Sequence, residues 1–360
     1  MSSLTYPDLP AINDISEDAK STAAKFKLTN LLLAFLDFFI SEEDFQNLNP
    51  STSNLKETIS DLKAYGYDVE MPKSADEYRK SVFPKIMDMH KRAGYYGVQV
   101  PVGGVPFDEE GMLLPAGIEL VKELKELLDG IGLHMSAVGG RFEDDWTKNI
   151  KPQIQAANLL GSKFLYGPFS TPFMYFPEVN AGEETVDWVQ EHLDGFSQTL
   201  RNEIGPFAAK YDVVVCEEPL QRFERALVTL KEATELAIKA DIPQFKIMID
   251  MCHESTDGEG PESFKGYVER LAAADKLQGI HISAIHRGKL YKSWFNQQYF
   301  NEFFGPVLEA GYAGEVSIEV FDATEPVVNV VKVNRRKFTN PLGVMINNFV
   351  YSTDKLSNLA

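Results

Sequence analysis

The feature that most constrains this chain is an alternation of short apolar runs with amphipathic stretches long enough to be helices, clearest from residue 79 onward. Eight runs can be read in order: TNLLLAFLDF (29–38), YGVQVPV (96–102), LHMSAVG (133–139), KFLYGPF (163–169), VVVCEEP (213–219), KIMIDMCH (246–253), GIHISAI (279–285) and EVSIEVF (315–321). Between them lie segments such as GIELVKELKELLDGIG and ALVTLKEATELAIKA, several closing on a glycine that suits a helix C-terminus. Such alternation argues for parallel strands joined by crossover helices. Eight strands predict a closed (β/α)8 TIM barrel, a single domain over 1–360 with its last helix after residue 340. A doubly wound open sheet would usually carry a Gly-rich phosphate turn after its first strand, and FLDFFISEEDF has none.

One segment exceeds the count. Residues 41–78, including NPSTSNLKETISDLKAYG, form an extra loop and helix after the first strand, an insertion expected near the active-site mouth. Segments this long inside compact domains are usually functional, so a lid or an oligomer contact is expected, against the plainer reading of a surface excursion.

Charge and composition narrow the partners. Lys and Arg number 35 against 53 Asp and Glu, and the net charge of -18 opposes nucleic-acid binding, which rests on cations neutralising phosphates. A small neutral ligand fits better. Cys216 and Cys252 each lie inside an apolar run and are read as packing residues in a reducing compartment. The N-terminus lacks a basic region followed by an apolar one. LLLAFLDFFI is about half the length of a membrane span and contains Asp37. The expectation is a cytoplasmic protein with no membrane partner.

In barrels of this kind the catalytic groups stand at the C-terminal ends of strands. Applied to strands five to eight, that rule selects Glu218, Asp250, His281 and Glu319. Three carboxylates and an imidazole on one rim suit a divalent ion such as Mn²⁺, Mg²⁺ or Co²⁺ better than a structural zinc, which prefers thiolates. Taken singly, each has a plainer reading: a strand-end acid is often a helix cap or ion-pair partner, and His281 could be a core histidine with a satisfied ring. Four candidates on four consecutive strands shift the balance, provided the barrel closes.

The same stretches carry a resemblance. EEPLQRFE, with Glu218 six residues before Glu224, resembles the ligand-bearing strand of ketose 3-epimerases of the D-tagatose and D-psicose 3-epimerase type, in the xylose-isomerase-like superfamily of sugar isomerases and epimerases. Gln221 stands where that pattern has Asn. IDMCH matches its Asp-x-x-His as Asp250 and His253, HISAIHRG its His followed six residues later by Arg, as His281 and Arg287, and SIEVF its last-strand Glu as Glu319. The likeness spans roughly residues 210–325.

The resemblance implies a metal-dependent sugar epimerase or isomerase. Glu218, Asp250, His281 and Glu319 would hold the ion, Mn²⁺ before Mg²⁺ or Co²⁺, and Glu218 and Glu319 would also move protons on the two faces of the reacting carbon. His253 and Arg287 would bind substrate oxygens, against plainer readings of a packed histidine and a surface arginine paired to Glu224 or Glu254. Arg222 and Glu224 would orient the ligands from outside. Relatives are often dimers or tetramers, so a homo-oligomer is expected. Other reactions on the same fold are aldose–ketose isomerisation, inosose dehydration and cleavage of 3-keto- or C-glycosides, whose aglycone residues 41–78 could accommodate. An endonuclease IV-like site needs more histidines than the six present. Loss of a ligand would have favoured a non-catalytic sugar-binding protein. His90 and His192, in helix-like segments, are expected at the surface. Alternation turns Glu217 away from Glu218, toward a basic partner outside the barrel.

Overall fold

Eight parallel strands pair in sequence order, and the first returns to the last, closing the sheet. They are β1 (Leu28–Leu31), β2 (Gly97–Pro101), β3 (His134–Gly139), β4 (Phe164–Gly167), β5 (Val214–Glu217), β6 (Phe245–Asp250), β7 (Leu277–Ile282) and β8 (Val316–Ile318). Closure is made by β1 on β8, with Thr29 opposite Ser317. The computed structural model describes residues 7–8, 10–32, 35, 37–48, 54–139, 146–169, 184–219, 229–256, 260–283, 289–292, 296–320 and 341–359.

The helices that surround the barrel include α1 (Glu17–Lys25), α2 (Leu55–Ala64), α3 (Phe83–Ala93), α4 (Pro115–Ile131), α5 (Leu230–Ala240) and α6 (Pro341–Ser357). Local sequence sets their limits. α4 opens on Pro115, whose fixed φ suits a first turn, and stops at Gly132, which takes φ 73°. Its Val121, Leu124 and Leu128 form the buried stripe. α5 starts from a capping box in which Glu232 accepts from the Thr229 N–H at 3.0 Å.

Each apolar run extends past the strand it contains, and two of these overruns matter. The first strand covers Leu28–Leu31, not 29–38. Beyond it Phe35, Phe38 and Phe39 are buried as packing groups, with the Phe38 ring edge-on to Phe83 of α3 at 4.9 Å between centroids. An apolar run alone does not separate strand from buried loop. Strand β6 ends at Asp250, and His253 sits on a short helix, Met251–Thr256.

His90 corrects a third expectation. It is fully buried on α3, its Nδ1 2.8 Å from the Ile86 carbonyl and its Nε2 3.0 Å from the Asn30 amide nitrogen. The ring donates from Nδ1 and accepts at Nε2, a neutral form that burial favours: its pKa is pushed down to about 4 by desolvation, against the opposing pull of the Ile86 carbonyl. The side chain of His192 lies outside the described residues.

Within segment 41–78, α2 buries Leu55, Ile59 and Leu62, and Asp61 Oδ2 accepts from the Leu342 N–H at 3.0 Å, in the first turn of α6. Burial pushes the Asp61 carboxyl up to about 7, only partly offset by the N–H groups of Leu342 and Gly343.

Inside the barrel, one layer of side chains forms a floor beneath the strand ends. Tyr166 of β4, Cys216 of β5 and Met248 of β6 pack together. Neighbouring β7 presents Gly279, where an added Cβ would lie 2.8 Å from Met248 Cγ and 3.0 Å from the Tyr166 ring, so only glycine leaves room. Both cysteines are free and buried, as expected. Among the described residues no helix is long and apolar enough to cross a membrane.

Candidate metal centre

Directly above that floor the strand period delivers the chemistry. Side chains on one face of a strand recur every second residue, so Cys216, Met248 and Gly279 are followed inward by Glu218, Asp250 and His281. Asp250 and His281 are register partners across β6 and β7. Glu218 and Glu319 stand one residue beyond their strands, each continuing the ladder: the Glu218 N–H donates to the Gly167 carbonyl and the Glu319 N–H to that of Ile282, both at 3.0 Å. Ligand atoms of Glu218, Asp250, His281 and Glu319 all lie within 4.8 Å of one another. The four residues selected from the sequence are brought together.

The cluster is graded in depth. Side-chain exposure is 0% for Asp250, 3% for His281, 7% for Glu319 and 12% for Glu218. Asp250 is fixed by two donors, its Oδ1 accepting from the Cys252 N–H at 2.8 Å and from the Ser283 hydroxyl. His281 turns Nδ1 toward Glu319 Oε2 at 3.0 Å and Glu218 Oε1 at 3.7 Å, while its Nε2 meets Gln99 Oε1 at 2.8 Å. Burial lowers the proton affinity of this ring, but hydrogen bonds to Glu218 and Glu319 and their charges outweigh it and raise the pKa to about 10. His253, also buried, places Nε2 at 3.5 Å from Asp250 Oδ2 and 3.7 Å from Glu218 Oε1.

Three buried carboxylates at this spacing repel one another, and one imidazolium offsets only part of their charge. A divalent ion offsets more. With bonds of about 2.0–2.6 Å, ligands across such an ion lie about 4–5 Å apart, which matches the cluster. The donor set and its spacing therefore fit a divalent metal.

Arg222, Glu224 and Arg287 lie outside the described residues. Glu217 is fully buried and belongs to the opposite face of β5 from Cys216. Two residues with a clear bearing on the site escape the strand-end rule: Gln99 and Ser283. Ser283 can be found by parity, since it stands two residues beyond His281 on the inward face.

The model of the xylose isomerase-like TIM barrel family matches residues 87–337. A search of curated proteins returned no match. Among solved structures, a candidate sugar phosphate isomerase/epimerase from Anabaena variabilis superposes with a TM-score of 0.63 at 19% identity, covering 92% of this chain and 99% of its own. D-psicose 3-epimerase from Clostridium cellulolyticum, solved with D-tagatose, gives 0.54 at 16% identity over 75% and 91%. The 3-keto-D-glucoside 4-epimerase of E. coli gives 0.51 at 17% identity over 68% and 89%. At these identities the likeness is one of fold, and the family model covers most of the barrel: the chain belongs to the xylose isomerase-like TIM barrel family.

Proposed function

We propose that the protein is a divalent-metal-dependent sugar epimerase or isomerase of the ketose 3-epimerase type, moving a proton at a carbon next to a carbonyl. The observation that carries this reading is the depth grading of the cluster. Asp250 and His281 are the two most buried ligands, suited to holding an ion, whereas Glu218 and Glu319 are the most open and stand on different strands. A bound divalent ion would supply positive charge that stabilises the negative charge developing on substrate oxygens. One glutamate takes the proton from the C–H, and the other returns one on the opposite face, which inverts the centre. His253, buried beside Glu218 and Asp250, donates a hydrogen bond to a substrate oxygen, and Arg287 binds another. Arg222 and Glu224 orient the ligand set from outside. The packed, buried floor of Tyr166, Cys216 and Met248 gives the cluster an apolar base, and low-dielectric surroundings strengthen charge interactions.

Among ions, Mn²⁺ suits this mixed oxygen and nitrogen set best, with Mg²⁺ and Co²⁺ able to take the same ligands. Segment 41–78 shapes one side of the mouth or meets a second copy of the chain; the contact of Asp61 with the start of α6, the helix that follows β8, supports that position.

Incubation of Mn²⁺-loaded protein with ketohexoses in D₂O tests the reaction. A 3-epimerase places deuterium at C3 of both epimers. Label at C1 or C2 assigns aldose–ketose isomerisation instead. Absence of C3 exchange with every free ketose, together with aglycone release from a 3-keto-glycoside or C-glycoside, overturns the epimerase reading in favour of glycoside cleavage. Water loss from an inosose would make it a dehydratase.

A further inference from the structure

Gln99 belongs to β2, outside the four strands that supply the acids and the histidine, and is buried. Its Oε1 lies 2.8 Å from His281 Nε2, in a bond that crosses the barrel interior between strands that are not neighbours in the sheet. The other nitrogen of the ring, Nδ1, looks into the carboxylate cluster. A neutral imidazole has one N–H and one lone pair, and an amide oxygen can accept only from the nitrogen that carries the hydrogen. We propose that Gln99 is a positioning residue that holds His281 in the Nε2–H tautomer, making Nδ1 the atom through which His281 ligates the divalent ion.

The residue type fits the task. A carboxylate at position 99 would add a fourth negative charge beside three buried ones, and an aliphatic side chain would leave the buried Nε2–H without this acceptor. An amide supplies the acceptor with no net charge. Partners of this kind fix ring orientation and ligand atom together, and their loss typically weakens metal binding by about 10–100-fold. The inference rests on the metal reading of the cluster and adds which atom binds and which residue selects it.

The test uses the full chain and three proteins: wild type, Gln99→Leu and Gln99→Glu. ¹⁵N NMR of the imidazoles, with diamagnetic Zn²⁺ as the probe ion, reads the tautomer, and titration calorimetry reads Mn²⁺ affinity. Wild type is expected to show His281 protonated at Nε2 and coordinated at Nδ1. Gln99→Leu should weaken Mn²⁺ binding by about 10–100-fold and lose the single-tautomer pattern, and Gln99→Glu, which also offers Nε2–H an acceptor, should restore the tautomer pattern. Coordination through Nε2 in wild type overturns the inference. So does a folded Gln99→Leu protein with unchanged Mn²⁺ affinity and unchanged ¹⁵N pattern. Should Gln99→Leu fail to fold, the wild-type spectrum alone decides. A wild type that binds neither ion defeats the metal reading itself, and with it this one, whereas wild-type binding through Nε2 defeats only the role of Gln99.

Discussion

His90 and His281 are both buried, yet their proton affinities are driven in opposite directions, to about 4 and to about 10. Desolvation opposes the charged form of each. The difference lies in what surrounds them. His90, beside the first strand, meets an amide, a backbone carbonyl and the rings of Phe35 and Tyr95. His281 faces Glu218 and Glu319. The contrast extends to the barrel halves: β1 to β4 end on Leu31, Pro101, Gly139 and Gly167, whereas β5 to β8 end at or beside Glu218, Asp250, His281 and Glu319. Among the described residues, the first four strands end on uncharged side chains, and the last four carry a set whose spacing fits a cation.

The most direct way to break this division is Asp250→Ala, which removes the deepest ligand. Metal affinity, read by titration calorimetry, should fall by more than the about 10–100-fold typical of an outer partner. Val102→Ala, at the end of β2, should instead lower stability by about 1–2 kcal/mol in denaturant unfolding and leave metal content unchanged. Equal metal loss in both would erase the contrast. Next in size, Glu319→Gln should cost turnover about 10²-fold or more even with Mn²⁺ supplied in enough excess for elemental analysis to show the ion bound. Smaller is Ser283→Ala, which frees Asp250 Oδ1 from one of its two donors and should weaken metal binding by about 10-fold.

The smallest effect sharpens the neutral half. The native His90 pKa is depressed from 6.5 to about 4, so between those values the unfolded chain binds a proton that the native state does not. Stability from this group is present above pH 6.5 and is lost as pH falls toward 4, by about 3 kcal/mol at most. His90→Gln should flatten the pH dependence of unfolding across that window. An unchanged slope would show that His90 takes no part in acid destabilisation.

What could be read from the sequence came from two periods. The alternation of elements predicts the barrel, and the strand period with the C-terminal-end rule selects Glu218, Asp250, His281 and Glu319. Tertiary partners could not be read this way. His90 resembles any polar residue on an amphipathic helix until Asn30, 60 positions away, is seen to meet it. Gln99 is one polar residue inside an apolar strand, and its role appears only when His281 is found 182 positions away. The over-long first strand has another cause: Phe35, Phe38 and Phe39 are as apolar as a strand core but pack as side chains of a connecting segment.

The closure of β1 on β8 has a consequence for biosynthesis. Thr29 waits for Ser317, Asp61 for Leu342 and Tyr95 for the carbonyl of Met345. At ordinary translation rates the intervening residues take on the order of tens of seconds to emerge. Through that interval β1 offers an open edge to any strand nearby, and its four residues make that edge a short template for mispairing. A nascent chain stopped just before Pro341 would already contain all four proposed ligands, yet it would lack α6, the stave that packs against α1, α2 and α3.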